Sequence, residues 1–335
     1  MNTPHLRTRF TDLFGLTTPI ALAPMALASG GALAAACAQA GALGLVGGGY
    51  GDLAWTQCEY TVAVEQASVR QRIGCGFITW KLDEDASALD WLLDQAHAPA
   101  AVMLSFGDPR PYAQRIARSG ARLMCQIQRL DQLPLALEAG AAVIVAQGSE
   151  AGGHGMNAQQ GRGTLALVPE LADALQAQAP HTLLLVAGGV GDGRGVVAAL
   201  MLGADGALVG SRLWATQESL AAAGAKAQAV DTTGDGTARS EVFDILRRKN
   251  WPAPYDFRAI RNALHRTWED RIDLLKANPD SARQDYDAGV KAGDFNRAHA
   301  TVGEAVGLIG DVPSASSLIA RMTQQTHTAL QRFSL

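Results

Sequence analysis

The chain has 335 residues, 48% of them hydrophobic, which is enough for one large core of barrel size with an additional piece. Its 28 basic and 32 acidic residues leave a net charge of -4, and 15 of each fall after residue 214. Neither part therefore carries the basic surplus of a nucleic-acid binder, and a small-molecule ligand is expected instead.

From Leu13 to Gly51 no residue is charged, and Arg7 and Arg9 precede this stretch, so a leader or a membrane span has to be weighed. Pro19, Pro24 and Gly47-Gly48-Gly49 interrupt it, and it divides into a strand, a small-residue helix and a second strand of a buried α/β core. The expectation is a soluble, cytoplasmic protein without membrane contact, as a monomer or homodimer. Cys37, Cys58, Cys75 and Cys125 form no C-x-x-C pair and no H-E-x-x-H occurs, so the cysteines read as reduced core thiols and no metal is expected.

Eight short apolar runs follow one another along the chain: Pro19 to Met25, Leu43 to Val46, Ile73 to Thr79, Ala101 to Leu104, Arg122 to Gln126, Ala141 to Ala146, Leu183 to Ala187 and Gly206 to Val209. Helical stretches separate them, including Gly30 to Ala40, Ala86 to Gln95, Pro111 to Ser119, Leu130 to Glu138, Pro169 to Gln178 and Gly193 to Leu202. This β-α alternation predicts an α/β fold, a (β/α)8 TIM barrel over residues 1–214. Beyond Trp214 the strand signal stops, and residues 215–312 read as a mainly helical insertion or cap. The last segment, 313–335, reads as an amphipathic helix from Ser314 to Phe333, with Ser314 or Ser316 as N-cap, that returns to close the barrel.

Candidate chemistry sits at the carboxyl ends of these strands. Gln147 to Gly155 places His154 in a glycine-rich loop after the sixth run, where backbone amides can approach a flat cofactor while the imidazole reaches over it. A lone histidine is often structural; on this loop it suits a general base for an acidic carbon, or a cation that orients an anion. Glu150 either tunes it or is simply solvated.

Ala187 to Gly195 follows the seventh run and Gly210-Ser211-Arg212 the eighth, the two loops where barrels commonly bind phosphate. Read plainly, these glycines would be tight β-α turns. No G-x-G-x-x-G occurs, and relaxed matches such as Gly49-x-Gly51-x-x-Ala54 arise by chance in a chain with 36 glycines. Two phosphate turns on a barrel favour a mononucleotide, FMN first. Gln126 and Gln147 either hydrogen-bond a flavin or face water, and Met25 is either a wall of that site or core filler.

With these residues assembled, the chain resembles the nitronate monooxygenases, formerly 2-nitropropane dioxygenases. The likeness lies in Pro19 to Met25, Glu150-Ala151-Gly152-Gly153-His154, Ala187 through Gly195 and Gly210-Ser211-Arg212. It continues in Arg258 to Asn262 with Trp268, and in Gly303 to Ile309. The resemblance implies FMN, with its phosphate on Gly188, Gly189, Gly210 and Ser211, and Gly191 in the same loop. Gln126, Gln147, Gly152 and Gly153 would lie near the isoalloxazine and ribityl groups, Ala23, Pro24 and Met25 would form one wall, and His154 would be catalytic.

Many relatives carry Gly-Val-Asn after the third strand, where this chain reads Gly74-Cys75-Gly76-Phe77-Ile78, so backbone of Gly76 or Phe77 must replace a side-chain amide. The implied reaction is oxidation of an alkyl nitronate by flavin and O2 to a carbonyl compound and nitrite. FMN-dependent NAD(P)H:quinone reductases and enoyl-ACP reductases use the same barrel and loops and form the alternative reading. Trp80, Phe77 and Tyr50 would line a substrate pocket between barrel mouth and cap, or belong to the core.

Overall fold

A computed structural model describes residues 6–332. Among the described residues there are eleven strands: β1 (Ile20–Leu22), β2 (Gly44–Gly49), β3 (Ile73–Ile78), β4 (Ala101–Ser105), β5 (Arg122–Ile127), β6 (Val143–Gln147), β7 (Gly153–Met156), β8 (Leu183–Ala187), β9 (Gly206–Val209), β10 (Thr237–Ser240) and β11 (Tyr255–Ile260). Eight of them form one parallel sheet in the order β1-β9-β8-β6-β5-β4-β3-β2, and these are the eight apolar runs of the sequence. A parallel bridge between Ala21 and Leu43 brings the two edges together and closes the barrel.

The continuous apolar character of the strands follows from burial on both faces. Along β6, Val143 and Val145 enter the barrel interior with Met103, Met124 and Leu185, while Ile144 and Ala146 pack outward against the helices. A short helix, Arg9–Phe14, starts at the Thr8 cap and sends Phe10 and Phe14 into the same interior. Each such fully buried large side chain contributes about 1.5–3 kcal/mol through removal of apolar area from water.

The short segment Ser211–Trp214 after β9 is too small to cover the barrel there. The helix Ala315–Gln331 fills that position, packing against Gly31–Gln39 and Gly193–Met201. Ser314 caps it by accepting from the Ser317 amide, and Thr323 hydrogen-bonds Thr18 at 2.9 Å. Phe333, the expected end of this helix, lies outside the described residues.

Two expectations change. Residues 215–312 are mainly helical, yet they contain β10 and β11, which pair antiparallel with each other, β11 also pairing antiparallel with β7 in a three-stranded sheet. These strands escape notice because β10 is only half-buried and β11 alternates Asp256 and Arg258 with Phe257 and Ala259, without a long apolar run. Cys37, Cys75 and Cys125 are buried thiols, but Cys58 is exposed on the outer face of helix Leu53–Gln66. Among the described residues no helix is long and apolar enough to cross a membrane.

Candidate active site

One cavity of about 670 Å³ opens at the carboxyl ends of the barrel strands, within the range that holds a drug-sized ligand. It brings together Ala23, Pro24, Met25, Gly76, Phe77, Gln126, Gln147, Gly152, Gly153, His154, Gly188, Gly189, Gly210 and Ser211. Tyr50 joins them, whereas Trp80 stands behind the wall, edge-on to Trp251 at 5.5 Å. Gly191 does not reach this cavity, because the loop turns beneath Ala305 and Leu308 and carries it to a smaller hollow beside Asp192 and Arg212.

At the floor, Gly188 and Gly189 adopt φ of +100° and +73°, the left-handed region that glycine enters without strain. Among the described residues the N-H groups of Gly188, Gly189, Val190, Gly210 and Ser211 meet no acceptor. The Ser211 hydroxyl accepts from the Gly303 amide at 2.8 Å and keeps its proton to donate. Five amides and a hydroxyl without acceptors fit a phosphate. The helix Gly193–Met201 adds nothing to them, since Asp192 accepts from Arg194 and Gly195, and Gln325 from Gly193.

Gly76 approaches the Pro24 ring so closely that a Cβ there would collide with it. Gly76 therefore lines the cavity beside Pro24 with backbone alone. Gln126 and Gln128 both donate to Oε1 of Gln147, at 3.2 and 2.9 Å, and Gln147 donates to the His154 carbonyl at 3.0 Å. Gln147 therefore ties β6 to the backbone of β7 as well as lining the cavity.

His154 is not on an exposed loop. It sits in β7, directly across from Phe257 of β11, with its side chain only 8% exposed. Both oxygens of Asp244 meet its Nε2, at 2.9 and 3.0 Å, and Trp251 stacks on its face with centroids 3.5 Å apart. Burial, outweighing the Asp244 carboxylate, pushes the imidazolium down to about 4. The ring is thus neutral near pH 7, with its proton on Nε2 toward Asp244 and a free lone pair on Nδ1. Glu150 takes no part, because its carboxylate accepts from the amide and hydroxyl of Thr164.

The turn that carries His154 is held from several sides. Arg239 from β10 donates to the carbonyls of Ala151 and Gly153, at 2.8 and 3.3 Å, and pairs with Asp256 at 3.2 Å. Burial raises Asp256 to about 6, with Arg239 opposing the rise. On the other side Gly152 lies against Val302 and Gly303, where a Cβ would stand 2.5 Å from backbone. A second histidine, His299, lines the cavity with its Nδ1 2.7 Å from the Tyr286 hydroxyl.

Sequence reasoning missed Asp244, Trp251, Phe257, His299 and Arg239. One signal was available for Asp244, a single carboxylate inside the apolar run Val242-Phe243-Asp244-Ile245-Leu246. The others lie in ordinary-looking strand and connection sequence.

The nitronate monooxygenase family model matches residues 54–325. The chain belongs to the nitronate monooxygenase family. It is 35% identical over 282 residues to the nitronate monooxygenase npaC of Metarhizium robertsii, covering 77% of this chain and 74% of that one. It is 30% identical over 344 residues to the nitronate monooxygenase of Neurospora crassa, covering 92% and 89%. Among solved structures, FabK from Thermotoga maritima superposes with a TM-score of 0.82 over 98% of both chains, at 23% identity, which speaks to the shared barrel fold. Membership in the nitronate monooxygenase family makes the chain an oxidoreductase and implies a flavin cofactor.

Proposed function

We propose that the chain is an FMN-dependent monooxygenase of alkyl nitronates, consuming O2 and releasing a carbonyl compound and nitrite. The observation that carries this is the neutral, Asp244-held His154 on the wall of the same cavity whose floor is the set of free amides. Those amides, with Ser211, would hold the FMN phosphate, and the bound flavin supplies the electron acceptor for the oxidation. Pro24 and the backbone at Gly76 would form one side of the ring site, with Gln126 and Gln147 the polar edge.

His154 has the form of a general base. Asp244 keeps the proton on Nε2, so Nδ1 is the nitrogen that takes a proton from the carbon next to a neutral nitro group. With a nitronate, that proton is already gone and the base has less to do. Trp251, Phe106, Tyr255 and Phe257 crowd together around this imidazole and keep bulk water from its face. Cytoplasmic placement and a small-molecule substrate with no nucleic acid or membrane partner remain part of this reading.

The test is oxygen uptake, nitrite release and flavin absorbance of the purified protein, mixed separately with propyl nitronate and with NADH. Uptake and nitrite with the nitronate, without bleaching by NADH, is the expected result. Anaerobic bleaching by NADH would move the chain to the quinone or enoyl-ACP reductase group. A colourless protein inert to both would remove the FMN site.

A further inference from the structure

With His154 neutral, the cavity needs another group to receive a negatively charged substrate. Three cations line it: Arg247, Arg248 and Lys249. Arg248 is committed to Asp287 at 2.8 Å and half exposed, and the Lys249 ammonium lies over the Tyr50 ring at 4.2 Å. Arg247 differs from both. Its side chain is only 14% exposed, and its guanidinium covers the Phe257 ring at 4.6 Å.

The charge of Arg247 is not matched by a hydrogen-bonded carboxylate. Asp244 Oδ1 stands 3.8 Å from Nη1, an ion pair beyond hydrogen-bond reach, and both Asp244 oxygens are turned toward His154 Nε2. Among the described residues Nη1, itself buried, meets no acceptor, and the Tyr50 phenol is one of the polar neighbours of the guanidinium. A buried guanidinium with unused donors is costly unless an anion completes it. Its planar fork also matches the O-N-O edge of a nitronate, which can accept two parallel hydrogen bonds.

We propose that Arg247 recognises the negative charge of the substrate, its guanidinium binding the nitronate anion beside His154. This rests on the nitronate reading given above. It divides the labour in the cavity: His154 handles a proton when the substrate arrives as a neutral nitroalkane, and Arg247 handles charge when it arrives as the anion. Phe257 supports both, as the cross-strand neighbour of His154 and the platform beneath Arg247.

The experiment compares wild type, Arg247→Met and Arg247→Lys with propyl nitronate and with neutral 1-nitropropane, and adds calorimetric titration with nitrate as an unreactive planar anion. A charge-assisted hydrogen bond is worth about 1.5–3 kcal/mol, so Arg247→Met should raise KM for the nitronate by roughly ten- to hundred-fold. The rise for the neutral substrate should be at least several-fold smaller, and kcat on the nitronate should fall much less than KM rises. Nitrate binding should weaken in parallel, and Arg247→Lys should recover part of both effects.

Equal KM increases for the two substrates would show a packing loss over Phe257 and overturn the proposal, as would unchanged nitrate binding in Arg247→Met. If wild type binds nitrate through Arg247 but turns over no nitronate, the anion site stands and the functional reading falls.

Discussion

Asp244 grips Nε2 of His154 with both carboxylate oxygens, at 2.9 and 3.0 Å, across 90 positions of sequence. This contact decides which nitrogen of the ring is basic, and several expectations rest on it.

Asp244→Asn keeps the shape of the contact but offers an N-H where the carboxylate had accepted. The imidazole would then carry its proton on Nδ1, the wrong nitrogen for taking one from substrate. General-base catalysis is worth about 10²–10⁴-fold, so kcat on 1-nitropropane should drop by roughly 10²-fold or more, and by far less on the preformed nitronate. Steady-state kinetics on the two substrates checks this, and equal losses would count against a base role for His154.

The pH behaviour follows from burial. Folded His154 takes a proton only near pH 4, while the unfolded imidazole does so near 6.5. Between those values the unfolded chain binds more protons, so stability falls as pH drops from 6.5 to 4. His299, pushed down to about 3 by burial, adds the same sign over a wider window. His154→Gln should remove about one proton from that slope, about 1.4 kcal/mol per pH unit, as read from urea unfolding across the range. Turnover of the neutral nitroalkane should stay level through pH 6; a break near 6.5 would contradict the buried, neutral ring.

Gly189→Val tests the floor of the cavity. At φ +73° a branched residue bears roughly 1–2 kcal/mol of strain, and its methyl groups would enter the space before the free amides. The variant should fold and purify with little flavin, measured as flavin absorbance per protein, with Gly189→Ala in between. A fully yellow Gly189→Val would place the phosphate elsewhere.

Arg239→Met should damage the turn rather than the chemistry. Arg239 and Asp256 are 4% and 11% exposed, and the substitution leaves that carboxylate and the carbonyls of Ala151 and Gly153 without their donor. Breaking one side of such a buried pair costs about 3–5 kcal/mol. Urea unfolding should show the loss, and Arg239→Lys should recover part of it.

The barrel was readable because each of its strands is buried on two faces, so runs such as Val143-Ile144-Val145 carry no interrupting charge. The glycine loop after β8 was readable because left-handed turns at Gly188 and Gly189 demand glycine. His154 was found for a partly mistaken reason: its glycine neighbours suggest an open loop, while the ring is enclosed by residues that fold over it from far along the chain. Asp244, Trp251 and Phe257 lie roughly a hundred positions later, in a short helix, a connection and the middle strand of the small sheet. No local periodicity tells that Tyr255–Ile260 will pair with Gly153–Met156. Long-range antiparallel pairing of a four-residue glycine-rich strand leaves almost no trace in composition.

The strand that bears His154 belongs to the small antiparallel sheet, although the chain enters it from one barrel strand and leaves toward another. The imidazole thus rides on the cover, joined to the drum by the chain itself and by the Gln147 hydrogen bond to its carbonyl. Any rocking of that cover against the barrel must carry the ring with it and break the Gln147 contact, so opening the cavity and displacing the imidazole are a single movement.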